Sequence, residues 1–106
     1  MRFERQVLLR IFTDEDAKRE GKPLYKFVLE KAKERGLSGA TVFRGIAGFG
    51  RSKKLREPSI FSFKSHLPVV IEIIDQEEKI RAFLEEMKNE CGCIYTLEEV
   101  EVVFYE

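Results

Sequence analysis

The chain has no tryptophan, a single histidine (His66), two cysteines and three prolines among 106 residues. Each scarcity removes a class of chemistry. One histidine and two thiols are too few for a closed four-ligand zinc site, and they leave no Ser/His/Asp or Cys/His set for nucleophilic catalysis. No carboxylate pair is pinned by a motif either, so the expectation is a protein that is not an enzyme and has no catalytic or metal-ligating residues. Net charge is also missing: 19 Lys+Arg balance 19 Asp+Glu, and no overall field draws the chain to nucleic acid or anionic lipid. No apolar run approaches the roughly 20 residues that span a bilayer. The start, Met1-Arg-Phe-Glu-Arg-Gln6, lacks the layout of a signal peptide, which makes the cytoplasm the expected location. With one asparagine, two glutamines and 36% charged residues, the composition leans toward a thermophile.

A length of 106 residues holds one domain, 1–106, with one modest core, and 43% hydrophobic content supports a folded globule. Arg5 to Phe12 reads as a strand with Val7, Leu9 and Ile11 on one face and Leu8, Arg10 and Phe12 on the other. The polar stretch Thr13 to Gly21 reads as loop. Pro23 suits the first position of a helix whose stripe is Leu24, Phe27, Val28 and Ala32 and which Gly36 stops. Ala40 to Ile46 forms a second strand and Leu67 to Ile74 a third, nearly all apolar and therefore central. Asp75 fits an N-cap, with Glu78 completing a capping box before a second helix carrying Ile80, Phe83, Leu84 and Met87. Cys93 to Thr96 and Val100 to Tyr105 read as two further short strands.

The order is β-α-β-loop-β-α-β, which predicts an α+β, ferredoxin-like βαββαβ fold. It comprises a four-stranded, mainly antiparallel sheet with two helices on one face and a long loop between strands 2 and 3. Apolar residues on both faces of the strands exceed what one helical layer covers, and self-association answers that excess. Cys91-Gly-Cys93 reads as a pair of buried or turn thiols, with metal binding across a subunit interface or redox work as the alternatives.

The chemistry-bearing stretch is Gly39-Ala-Thr-Val-Phe-Arg-Gly-Ile-Ala-Gly-Phe-Gly50. Gly45, Gly48 and Gly50 can adopt positive φ and bare their N–H groups to an anion, and Arg44 supplies charge beside them. As a pattern, Gly-x-x-Gly-x-Gly matches neither the dinucleotide fingerprint nor the P-loop; the same glycines can simply bend the end of a strand. The basic run Arg51, Lys53, Lys54 and Arg56 follows, either as an exposed loop or as a phosphate or partner contact. Phe49, Phe61 and Phe63 have no core of their own in this polar loop, and a neighbouring subunit is their expected cover, with a partner protein as the alternative.

Three segments in order, Gly21-Lys-Pro-Leu24, Gly39 to Gly50, and Leu67-Pro-Val-Val-Ile-Glu-Ile-Ile-Asp75, resemble the PII-like family long catalogued as a domain of unknown function. The resemblance covers nearly the whole chain. It implies a homotrimer of the nitrogen-regulatory PII fold, with an adenine nucleotide (AMP, ADP or a related one) in clefts between subunits at the base of the long loop. No other cofactor is required. It further implies that loop 49–63 signals occupancy to a protein partner, a membrane protein included, without membrane insertion. Carried over by position, the nucleotide-binding residues are Arg44, Gly45, Ile46, Gly48, Phe49, Gly50 and Lys22. The chain lacks a second glycine-rich phosphate loop and the Arg-Thr-Gly-Glu tail with which PII itself holds a triphosphate. The alternative function is a ligand-free or metal-binding trimeric interaction module, and after that a small enzyme.

Overall fold

The computed structural model describes residues 1–58 and 66–105. Its elements are β1 (Arg2–Asp14), β2 (Lys18–Arg19), β3 (Lys22–Pro23), α1 (Leu24–Glu34), β4 (Ala40–Arg44), β5 (Pro68–Asp75), α2 (Glu77–Met87) and β6 (Ile94–Phe104). The four long strands form one sheet in the order β4-β5-β1-β6, every pairing antiparallel. This is the ferredoxin-like topology. The sequence-based expectations about Phe61 and Phe63 lie outside the described residues.

Strand alternation builds the core. Val7, Leu9 and Ile11 of β1 and Val69, Ile71 and Ile73 of β5 face the same side, where Leu24, Phe27, Val28 and Ala32 of α1 meet Ile80, Phe83 and Met87 of α2. Both helical stripes anticipated from their spacing are therefore core. Helix α1 ends in a Schellman motif: Gly36 N–H donates to Lys33 O (3.1 Å) and Leu37 N–H to Ala32 O (3.1 Å), while Gly36 holds φ at 73°.

Several boundaries differ from the sequence reading. β1 runs three residues earlier, and β6 is one strand where two were expected, because it pairs with β1 without interruption from Arg2↔Phe104 to Phe12↔Ile94. The stretch read as loop contains the β2–β3 hairpin, turned by Glu20 (φ 52°) and Gly21 (φ 76°). Pro23 precedes the helix and does not open it. Asp75 is not the cap of α2, which starts at Glu77 with Gln76 before it. The buried Asp75 carboxylate instead accepts N–H bonds from Gln76 (2.7 Å) and from Ser38 (2.9 Å), tying the start of α2 to the turn after α1.

Among the described residues nothing packs over the opposite sheet face. Register aligns Phe43, Val70, Phe12 and Ile94 in one row across all four strands, and Phe43, Phe12 and Ile94 remain 52%, 40% and 42% exposed. In the neighbouring row Arg10 donates to Glu72 at 2.9 Å.

A Cβ on Gly36 would meet nothing within 4 Å, so replacing it costs only backbone strain. Gly36→Ala should destabilise the fold by about 1–2 kcal/mol, the penalty of an L-residue in the left-handed region. Urea denaturation checks this, and a change below the error of the extrapolation contradicts the Schellman reading.

Candidate functional site

The C-terminal end of β1, the N-terminal ends of β5 and β6, and the chain leaving β4 converge at one end of the sheet. Pro68 organises the junction. Gly45 N–H donates to Pro68 O at 2.8 Å, and a Cβ on Gly45 or Gly48 would stand 2.9 or 3.3 Å from Pro68 Cγ. The Pro68 ring thus leaves no room for a side chain at Gly45 and little at Gly48. Positive φ, which the sequence reading allowed them, is not used at Gly45, Gly48 or Gly50.

Beyond Pro68 the loop closes on itself. Gly48 N–H donates to Arg56 O (2.9 Å), Arg56 N–H donates to Gly48 O (2.7 Å), and Lys53 N–H reaches Gly50 O (2.9 Å). The N–H groups of Gly45 and Gly48, expected to face an anion, are engaged within the chain in this conformation. Ile46 and Phe49 stand exposed, with Lys53 Nζ 5.8 Å from the centre of the Phe49 ring.

Arg56 locks the loop base to β1. Its guanidinium, 17% exposed, contacts Asp14 Oδ2 at 3.3 Å and Asp16 Oδ1 at 3.1 Å, and donates to His66 O at 3.1 Å. His66 Nδ1 lies 3.0 Å from Asp16 Oδ2. Burial, and then the adjacent Asp16 carboxylate, push Asp14 above the usual carboxylate range. Asp16 is held well below it, first by the hydrogen bond from Asp14, then by His66 and the positive charge of Arg56.

Between this lock and the start of β6 lies a cleft of about 780 Å³, the size of a small-molecule site. Its apolar wall includes Phe12, Val70 and Ile94; its polar wall includes Lys18, Arg51 and Arg56. Of the residues anticipated from sequence, the structure brings Gly48, Phe49 and Gly50 to the cleft. Arg44, Gly45, Ile46 and Lys22 do not line it. Arg44 pairs with Glu15 at 3.2 Å, and Lys22 with Glu30 at 2.7 Å. By contrast, the Lys18 and Arg51 side chains have no carboxylate partner among the described residues. Sequence reasoning missed Lys18, because a hairpin of two-residue strands in a polar stretch carries no alternation to reveal it. Arg51 was visible only as a member of the basic run.

The remaining wall is the Cys91-Gly92-Cys93 turn between α2 and β6. The structure joins the two cysteines, expected as thiols, in a disulfide with Cα atoms 5.2 Å apart. A bridge closing so short a loop removes only about 1.6 kcal/mol of unfolded-chain entropy, against about 3 kcal/mol for a 15-residue loop. It is a weak staple. Among the described residues no group of His, Cys, Asp and Glu is placed to hold a metal ion, and no helix is long and apolar enough to cross a membrane.

Comparison with known proteins places this geometry. Residues 6–102 match the DUF190 family, described as Uncharacterized ACR, COG1993. The chain belongs to this family. A UPF0166 protein of Aquifex aeolicus (strain VF5) is 59% identical to the DUF190 chain over 104 residues, covering 98% of it and 99% of the relative. A UPF0166 protein of Methanocaldococcus jannaschii is 42% identical over 77 residues, 73% of this chain and 70% of that one. Among solved structures, a PII-like signalling protein of Thermus thermophilus, TTHA0516, superposes with a TM-score of 0.72 at 23% identity, covering 97% of this chain and 94% of that one. CPII of Thiomonas intermedia K12, a nitrogen regulatory PII-like protein bound to ADP, AMP and bicarbonate, superposes with a TM-score of 0.71 at 14% identity over 97% of this chain and 100% of CPII. The DUF190 chain therefore has the PII-like fold.

The carboxylate pair gives a pH signature. A depressed pKa means that Asp16 contributes stability above its unfolded value, near 3.9, and loses that contribution as pH falls toward the folded value. Asp14, shifted upward, works in the opposite sense and favours the fold below its unfolded value. Asp16→Asn should therefore be clearly less stable than the parent at pH 7, with the gap narrowing by pH 3. Denaturation at the two pH values measures it, and a gap that stays constant contradicts the assignment.

Proposed function

We propose that this DUF190 protein is a PII-like regulator, with no catalytic role, that binds an adenine nucleotide (AMP or ADP) at the loop-base cleft. The observation that carries the reading is the pairing, in one cleft, of Lys18 and Arg51, two cations with no carboxylate partner among the described residues, with an apolar wall of Phe12, Val70 and Ile94. Phosphates suit the first and a purine base the second. CPII, the structural relative that was solved with ADP and AMP, supports the choice of ligand class.

The site is proposed to lie between subunits of a homotrimer. The uncovered row Phe43, Val70, Phe12 and Ile94 calls for a partner surface, and a second copy of the chain supplies one. In that arrangement exposed Ile46 and Phe49 reach a neighbour. Arg44 and Lys22 join a ligand only by leaving Glu15 and Glu30. Gly48 and Gly50 line the cleft, and Gly45 anchors the loop entry through its N–H bond to Pro68 O. Loop 49–63 then reports occupancy to a protein partner, because ligand contacts at Gly48 to Ser52 favour one loop conformation by as much as they bind it better than the others.

Calorimetric titration with AMP, ADP, ATP and cyclic AMP tests the reading, with saturable binding and no turnover as the expected result. Arg51→Ala should weaken ADP binding by about 1.5–3 kcal/mol, the loss expected for a charge-assisted hydrogen bond. Arg44→Ala should cost less, since its ion pair with Glu15 is given up on binding. No effect at Arg51 would remove Arg51 from the phosphate site, and an equal loss at Arg44 would contradict the ranking of the two. Light scattering should give the mass of three chains; a monomer at micromolar concentration contradicts the inter-subunit cleft.

A further inference from the structure

We infer that the Cys91–Cys93 disulfide is a reversible redox element whose state sets the affinity of the loop-base cleft. The coupling to affinity rests on the nucleotide reading above; the redox element itself does not.

Position is the first argument. Cys91, Gly92 and Cys93 line the same cleft as Gly48 to Ser52 and Lys18, so the bridge forms part of the wall that a ligand would touch. Connection is the second. Cys91 is buried in the core cluster beside Met87, and its N–H donates to Met87 O at 3.1 Å. The Tyr95 hydroxyl stands 3.2 Å from both the Met87 and the Cys91 carbonyl oxygens and bridges the end of α2 to β6 across the turn. Glu90, next to the bridge, is bound to Arg19 at 2.6 Å, in the β2–β3 hairpin that presents Lys18. The turn thus stands between the core and one of the cleft's two unneutralised cations. Opening it releases a constraint on Glu90, and through Arg19 on Lys18.

The third argument is economy of structure. A disulfide over one intervening residue constrains the unfolded chain little, so stapling does not account for it. At the middle of the turn there is room to move, because a Cβ on Gly92 would meet nothing within 4 Å. Access is asymmetric: Cys93 is half-buried whereas Cys91 is buried, so an incoming thiolate meets the Cys93 sulfur first. Attack there breaks the Cys91–Cys93 bond, forms a mixed disulfide at Cys93 and leaves Cys91 as a thiolate that takes up a proton. The second thiol of a dithiol reductant then attacks its own sulfur in the mixed disulfide and releases Cys93, which is likewise protonated. In sum two electrons and two protons pass to the cysteine pair, and the dithiol becomes a disulfide. A disulfide-class oxidant reverses the step. Closed, the bridge holds the wall in the binding shape and the ligand meets a pre-organised site; open, ordering that wall opposes binding.

The test compares the full-length wild-type chain oxidised with glutathione disulfide and reduced with dithiothreitol. Intact mass should rise on reduction by two hydrogens, with two thiols newly open to alkylation. Hydrogen exchange should increase at residues 91–95, 18–19 and 48–52. ADP should bind the oxidised form at least about fivefold more tightly, the lower end of ordinary coupling between sites. Cys93→Ser, which leaves the buried Cys91 in place, should bind ADP like the reduced form and ignore dithiothreitol. A chain that never forms the bridge, or one whose bridge resists dithiothreitol, overturns the inference, as does a bridge that opens while exchange at those segments stays the same. Equal ADP affinity in the two forms overturns the coupling alone. If neither form binds ADP, the nucleotide reading fails, while the exchange comparison still decides the redox element.

Discussion

Strand β1 is the constraint on which the rest depends. It pairs with β5 from Val7↔Asp75 to Asp14↔Pro68 and with β6 over nearly its whole length, so every other part of the sheet takes its position from it. Its inward residues Val7, Leu9 and Ile11 anchor the core shared by both helices. Its outward residue Phe12 sits in the uncovered apolar row and also in the cleft wall. Where it ends, Asp14 and, two residues on, Asp16 receive Arg56 and so fix the base of the loop. Core, exposed apolar row and candidate site are thereby coupled to one strand, and a shift of one residue in its register would exchange its buried and exposed faces.

At the loop base, charge pairing decides which cations remain for a ligand. The protein balances its charges overall, and most cations of the region are committed: Arg44 to Glu15, Lys22 to Glu30, Arg19 to Glu90, and Arg56 to two aspartates. The Lys22–Glu30 pair is exposed on both sides and therefore weak, whereas Arg44 pairs with a largely buried Glu15 carboxylate that would be left without its cation if Arg44 moved away. The lock at Arg56 is different in kind. It is largely buried, satisfied by two carboxylates and a carbonyl, and backed by the Gly48–Arg56 bridge, which makes it a structural support for the cleft rather than a free ligand group.

The fold was largely legible in the sequence because its signals are local. Alternation in β1 and β5 and the stripes of the two helices each reflect one element burying one face. What escaped depends on contacts distant in sequence. Asp75 looked like a helix cap, but Ser38, on another element, draws its carboxylate away. The interruption expected within β6 disappears because β1 offers a continuous partner. In the glycine-rich stretch the structure supplies a constraint that the sequence did not show: Pro68 crowds Gly45 and lies close to Gly48, and the N–H groups of the two glycines are taken by Pro68 and Arg56. Lys18 and the Cys91–Cys93 turn join the cleft only through topology, and no spacing along the chain announces that. Membership of DUF190 and the PII-like fold of the solved relatives agree with the family resemblance carried by the three quoted segments.

The central claim is that the loop-base cleft is where ligand chemistry meets the loop. Chemical-shift mapping of the isotopically labelled protein with ADP tests it most directly, since it locates binding without assuming a contact residue. The account predicts the largest backbone shifts at Gly48 to Ser52, at Lys18 and at Cys91 to Ile94. Saturable binding whose shifts fall elsewhere, on the outer sheet face or along the helices, would contradict it.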